Sequence, residues 1–458
     1  GPYLYTNRCG KPVDELWTNL GPEVINISYT GSRSIIHRVI QIDFSSISAF
    51  LTGFSTYPQP LRLRLRIFTI FFLYKQTHQT VRKGELSTIM KLVFDKADLV
   101  KSVGIAMKAV SGKTTMPILE CILIDASSNV IKFTSNDMEL GIETIVTGMI
   151  LERGIVALDA KIFSEIVRKL PDNQVTIETD ENLVTTITCE KAKFNIPGQS
   201  GEDFSYLPIL ETSDCVSISQ FTLKELIRQT IFSIAANENN KLMTGELFEI
   251  KDNTLRVVSL DGHRIAIRRI ELKDSYPDRK VVVPGKTLNE ISKILSGEMD
   301  DQIDIYFSEN HIMFKFDDTT VVSRLIDGEY FRIDQMLSSD YETKVTINKK
   351  EFLSCIDRAT LLVKEGDKKP IIIDIQDGAM ELQINSAMGS MKEEIDINKE
   401  GKDIMIGFNP KFLIDALRVI DDEEISIYLV NPKAPCFIRN EEESYIYLIL
   451  PVNFNSVR

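Results

Sequence analysis

From Met90 onward, apolar residues recur every three to four positions in some stretches and every second position in the runs between them. In VPGKTLNEISKIL, Leu288, Ile291, Ile294 and Leu295 fall on one helical face, so that face packs inward. Lys286 and Lys293 stand seven apart, two turns along, and share a different, exposed stripe. Two other stretches repeat the arrangement. LDAKIFSEIVRKL, from Leu158, has Lys161 and Arg168; FNPKFLIDALRVI, from Phe408, has Lys411 and Arg418. Lys161, Lys286 and Lys411 recur at intervals of 125 residues. A basic pair on the same helix of three equal units is an architectural repeat.

A second helix repeats upstream of each of these: FDKADLVKSVGIAMKAV from Phe94, FTLKELIRQTIFSIA from Phe221 and INKKEFLSCIDRATLLV from Ile347. Aligning Leu99, Leu226 and Phe352 gives spacings of 127 and 126. Short β-branched runs follow, such as ILECILIDA, ELFEIKD and PIIIDIQD, and more follow each lysine helix. Two helices and about eight strands per unit, each with one apolar face, predict an α+β fold with helices on one side of antiparallel sheet. Polar connectors near Ser213–Val216 and Ser338–Thr343 divide the chain into units 90–215, 216–340 and 341–458.

Residues 1–89 lack this periodicity, and Gly1-Pro2 reads as the scar of a cleaved tag. They are expected to be a non-native or disordered extension, with the native protein starting at Met90. Ten Lys+Arg against five Asp+Glu make this segment +5, which leaves −18 for the rest of a chain whose total is −13. LRLRLR and the IFTIFFLY that follows it have the composition of a membrane-surface strip or a late signal sequence, but they lie far from the N-terminus, and no membrane partner is expected. That apolar run falls short of the roughly 20 residues a span needs. Acidity on this scale argues against nucleic acid unless the basic residues are gathered on one surface. The six cysteines form no CxxC and no group with histidine, so they read as buried thiols of a reducing compartment, without metal or disulfide.

Candidate chemistry is sparse. Ser111-Gly112-Lys113-Thr114 has the end of a phosphate-binding loop, but Met107 stands where the first glycine belongs and a helix, not a strand, precedes it. Asp261-Gly262-His263-Arg264 offers a histidine beside a carboxylate, yet Asp-Gly between two strands is first a turn signal. The acidic runs 421–424 and 441–443 read as solvated turns. No catalytic residue, cofactor or metal is expected.

Three such units resemble the bacterial sliding clamp family, the beta subunit of DNA polymerase III. The likeness rests on MKLVFDKADL and KTTMPIL near the start, SLDGHRIAI (259–267), LIDGEYFRIDQML (325–337), IGFNPKFLIDAL and the terminal YIYLILPV. It covers Met90 to about Asn455. The resemblance implies a head-to-tail homodimer, a six-domain ring with helices lining a hole that holds duplex DNA. It implies a non-catalytic processivity factor of the cytoplasm and nucleoid. The implied partners are the polymerase III catalytic subunit, the clamp loader, and other polymerases and repair proteins, which dock through short hydrophobic motifs.

By position, the family's peptide cleft falls on Met243, Leu260, Gly262, His263, Arg264, Ile265, Phe331, Gln335, Met336, Leu448, Ile449, Leu450, Pro451 and Val452. Phe331 stands where the family usually has proline, and Asn453 where it has arginine. Lys113, Asn237 and Lys286 match the family's DNA contacts. Lys161, Arg168, Lys293, Lys411 and Arg418 join them on the repeated stripe alone. For the dimer interface, Lys191 and Lys193 are expected to face acid such as Asp421 to Glu424, with Leu361 and Leu362 in apolar contact. Two other readings stay open: a protein-interaction scaffold without DNA, and a nucleotide-using enzyme built on Lys113.

Overall fold

Each lysine helix is short, and a side chain caps the start of two of the three. A computed structural model describes residues 90–454, apart from 113, 212–214, 237–238, 365 and 367–368. The proposed extension, its LRLRLR and IFTIFFLY segments, Lys113 and Asn237 lie outside the described residues. Six α-helices are described: α1 (Lys96–Ala106), α2 (Ala160–Lys169), α3 (Gln220–Arg228), α4 (Gly285–Ser292), α5 (Lys349–Thr360) and α6 (Pro410–Val419). They come in pairs, α1–α2, α3–α4 and α5–α6, one pair per repeat. Asp159, Ser219, Asn348 and Asn409 cap α2, α3, α5 and α6 by accepting a first-turn amide proton. Arg168, Arg228, Arg358 and Arg418 stand in last turns, where the helix dipole favours a cation.

The antiparallel sheet runs on across the repeats. Leu140–Val146 of the first unit pairs with Thr319–Arg324 of the second, Ile142 opposite Val321. Arg264–Pro284 of the second pairs with Tyr445–Ile449 of the third, Ile265 opposite Leu448. One helix-facing core serves each unit, with Phe94, Phe133 and Phe163 in the first, Phe248 and Phe314 in the second, Phe352 and Phe408 in the third.

Two expectations need correction. ELFEIKD and TLRVVSLDG form one strand, Gly245–Leu260, not two. Its register slips twice around Asp252, which takes a positive φ of 52°. A short polar side chain tolerates that conformation, so the ladder bulges there and does not end. The sheet is also apolar on more than one face in places: every residue of Tyr445–Ile449 is buried. The connector at 325–337 covers the outer side of that strand region. In the first unit, Phe204 likewise covers Leu119, Cys121 and Leu123. The Ser111–Thr114 segment follows the 3-10 turn Met107–Ala109 with no strand before it, so it lacks the frame of a phosphate-binding loop.

Candidate functional site

The Asp-Gly turn organises the cleft. Asp261 Oδ1 accepts from the amides of His263 (2.9 Å) and Arg264 (3.1 Å), and Gly262 has φ +87°. An Asp side chain that replaces a backbone acceptor, followed by a glycine free to turn left, reverses the chain in two residues. The His263 carbonyl then accepts from the Leu450 amide at 2.9 Å, tying the turn to the end of the last strand.

Strand alternation sorts the predicted cleft residues. Leu260, Ile265 and Leu448 share one face with Val258, Ile267 and Ile446, and Met243, Phe331 and Leu337 pack half-buried against them. Ile449 points the other way, into the helix-side core of the third unit, at 1% exposure. Its placement in the cleft is therefore corrected: neighbours in a strand face opposite sides. Leu450 and Met336 are exposed, as are His263 and Gln335; Pro451 and Val452 are half-buried. After Pro451 the chain changes neighbour, and the Val452 amide donates to Gly407 O at 2.8 Å. Phe331 and Gln335 also line an adjoining cavity of about 500 Å³ between connector and sheet. There Arg256 bonds Glu249 and Asp334, each at 2.6 Å, which pins the connector down. The same guanidinium holds the Asp334 carboxyl below the usual carboxylate range.

Arg264 is not a free cleft wall. It is 7% exposed, and it donates to Asp261 Oδ2 (3.0 Å), Asp415 Oδ2 (2.7 Å) and Phe232 O (2.8 Å). Its guanidinium lies 4.5 Å from the Phe412 ring centre, and His263 stacks on the same ring. Sequence reasoning missed Phe412. Ile162 and Thr287 occupy the equivalent positions after their lysines, so an aromatic there was a departure from the repeat that pointed to a special contact.

The basic helix residues Lys161, Arg168, Lys286, Lys293, Lys411 and Arg418 are all exposed. Among the described residues Lys161 and Arg168 have no ion-pair partner. Lys286 pairs with Asp137, Lys293 with Glu290 (2.9 Å), Lys411 with Asp415 (2.6 Å) and Arg418 with Asp357 (3.4 Å).

The beta sliding clamp of Staphylococcus epidermidis is 33% identical over 375 residues, 80% of this chain and 99% of that protein. The chain belongs to the beta sliding clamp family. Family models for the DNA polymerase III beta subunit match in order: the N-terminal domain over residues 90–208, the central domain over 217–331 and the C-terminal domain over 334–453. Among solved structures, a putative DNA polymerase III beta subunit from Eubacterium rectale is 72% identical with a TM-score of 0.78. The Bacillus subtilis sliding clamp is 35% identical with a TM-score of 0.77. Each covers 80% of this chain and is itself covered in full.

In this clamp chain the predicted interface residues fall on two regions. Lys191 and Lys193 are exposed at the strand Ala192–Gln199. Leu361 is 75% exposed past the end of α5, and a Cβ at Gly389 would meet the Leu362 side chain. Of the acid expected to face the two lysines, two residues have partners within the chain. Asp421 pairs with Arg228 (3.4 Å) and Asp422 accepts from the Tyr445 hydroxyl (2.6 Å). The Asp421 pair joins the third unit to the second, because the turn after α6 lies against α3.

Proposed function

We propose that two copies of this clamp close head to tail into a ring around duplex DNA and tether the replicative polymerase. One observation carries the reading. Each internal junction joins the strand that opens at Leu140 or Arg264 to the last strand of the next unit, Thr319–Arg324 or Tyr445–Ile449. The third unit's counterpart, Gly389–Asp396, is a sheet edge bonded on one side only. The first unit's counterpart, Ala192–Gln199, meets a second neighbour only at its last two residues. These two edges are the missing third junction, supplied by a second copy. Lys191 and Lys193 on one edge complement exposed Glu394 and Asp396 on the other, and exposed Phe194 offers apolar contact.

Closed this way, the ring has three domains per chain, 90–215, 216–340 and 341–458. The basic pairs on α2, α4 and α6 turn toward DNA, with Lys113 and Asn237 joining them by family match. Contacts to phosphate alone hold register without reading sequence, as sliding requires. The cleft takes short apolar motifs of the polymerase III catalytic subunit, the clamp loader, other polymerases and repair proteins. The work is tethering, with no reaction to catalyse, in the cytoplasm at the nucleoid. Residues 1–89 are dispensable for it.

The ring is loaded on nicked circular DNA, salt is raised, and the DNA is then cut. Retention on the circle and release upon cutting support topological holding. Equal retention on linear and circular DNA refutes it and favours ordinary binding. With Leu361 and Leu362 both changed to Asp, the dimer should be lost by sedimentation and no protein should stay on the circle. Calorimetric binding of a nucleotide would instead favour an enzyme at Lys113, and a chain that never engages DNA would favour the scaffold reading.

A further inference from the structure

We infer that Asp415 is a positioning residue that links the DNA-facing lysine of α6 to the motif cleft, so that DNA in the ring tightens motif binding. The inference rests on the proposed roles of Lys411 and of the cleft. Asp415 is half-buried on α6, one turn after Lys411. A single oxygen, Oδ2, accepts from Lys411 Nζ at 2.6 Å and from Arg264 Nη1 at 2.7 Å. Arg264 belongs to the other repeat, and it braces the cleft turn through Asp261 Oδ2 at 3.0 Å. That turn in turn holds Leu450 through the His263 carbonyl at 2.9 Å. An unbroken series of short contacts thus runs from an exposed cation on the basic face to a side chain at the cleft.

The shared oxygen gives the series two arrangements. Without DNA, Lys411 and Arg264 share one acceptor oxygen, and each draws on negative charge that the other would use. A phosphate that draws Lys411 away leaves that acceptor to Arg264 alone, and a charge-assisted bond to a nearly buried guanidinium strengthens when its competitor leaves. Phe412 holds the guanidinium plane in place meanwhile, at 4.5 Å. The turn is then fixed more firmly in the conformation that presents His263 and Leu450, and a bound motif loses less freedom on docking. At the other junction Lys286 meets Asp137 of the first unit's turn directly, with no arginine between them. The relay therefore belongs to the junction that has the cleft.

The test is fluorescence anisotropy of a fluorescein-labelled Ala-Leu-Ala-Leu-Phe peptide, whose leucines fall on one side of an extended chain. Binding to the full-length dimer is measured at low salt, with and without a saturating short duplex. In the wild type the duplex should tighten peptide binding about fivefold, at the lower end of ordinary coupling between sites. K411A should bind the free peptide as tightly as the wild type does with DNA, and should no longer respond to duplex. K411R should restore the response. D415N should bind the peptide more weakly in both conditions. A K411A dimer that keeps the full DNA response overturns the relay and leaves the cleft standing. A wild type that binds duplex and peptide independently does the same. A wild type that never binds the peptide overturns the cleft reading and the relay together.

Discussion

The two junctions inside the chain share one strand pairing and differ in almost everything built around it. Where the first unit meets the second, the turn at Asp137 is held by exposed Lys286, and a cavity of about 100 Å³ sits beside it. Where the second meets the third, buried Arg264 ties two carboxylates, a carbonyl and two aromatic rings together, beside a cavity of about 500 Å³. The connector there lays Tyr330 and Ile333 onto the sheet, giving a dedicated apolar cluster. The repeat thus supplies a junction, and site-specific side chains turn one copy of it into a cleft. The lesson is that ladder hydrogen bonds fix how units join, while a few buried charged and aromatic groups decide which joint is built up beside the larger cavity.

The largest expected effect tests that asymmetry. Arg264→Ala leaves Asp261 and Asp415 half-buried without their shared cation, and breaking such a pair should cost about 3–5 kcal/mol of stability. Lys286→Ala removes a cation that is 61% exposed and should cost under about 1 kcal/mol. Urea unfolding of the two variants compares them; equal losses would mean that the junctions are energetically alike.

Next in size is the cleft itself. Leu450→Ala with Val452→Ala should weaken the apolar peptide by roughly 1–3 kcal/mol per well-buried anchor. Met138→Ala with Leu207→Ala, at the smaller junction, should leave peptide affinity unchanged. An effect of the same size from both pairs, read by anisotropy, would place motif binding at either junction.

The smallest effect concerns a group that only one junction has. Glu246 is fully buried near the start of Gly245–Leu260, with no donor at hydrogen-bonding geometry on its carboxyl oxygens. Desolvation holds its pKa well above the usual carboxylate value, and the neighbouring Thr230 hydroxyl offsets this only in part. The first unit's corresponding strand opens with Cys121, whose thiol burial pushes up to about 11. For Glu246 the folded pKa exceeds the unfolded one. Its contribution to stability is therefore full below the unfolded pKa and is lost as pH rises toward the folded pKa. Glu246→Gln should match the wild type in thermal midpoint at acidic pH and become the more stable form as pH rises. A gap that stays constant with pH would show that this carboxyl does not titrate between the folded and unfolded states.

What the sequence determined by itself was whatever periodicity encodes. The apolar spacing of Leu288, Ile291 and Leu295, and the lysines recurring at 125 residues, placed three helix pairs and an exposed basic face on each second helix, because helical and strand periods are local properties of the chain. The Asp261-Gly262 turn was legible for the same reason: its geometry needs only its own residues. Three things were decided by the tertiary structure. Ile449 faces the core and Leu448 the cleft, a one-residue alternation that depends on the register against Arg264–Pro284. Asp421 meets Arg228 because α3 and the turn after α6 are brought together only on folding. Phe412, Asp415 and Arg264 form one cluster although about 150 residues of chain separate Arg264 from the other two, and contacts that close so long a loop leave no periodic trace in the residues that make them.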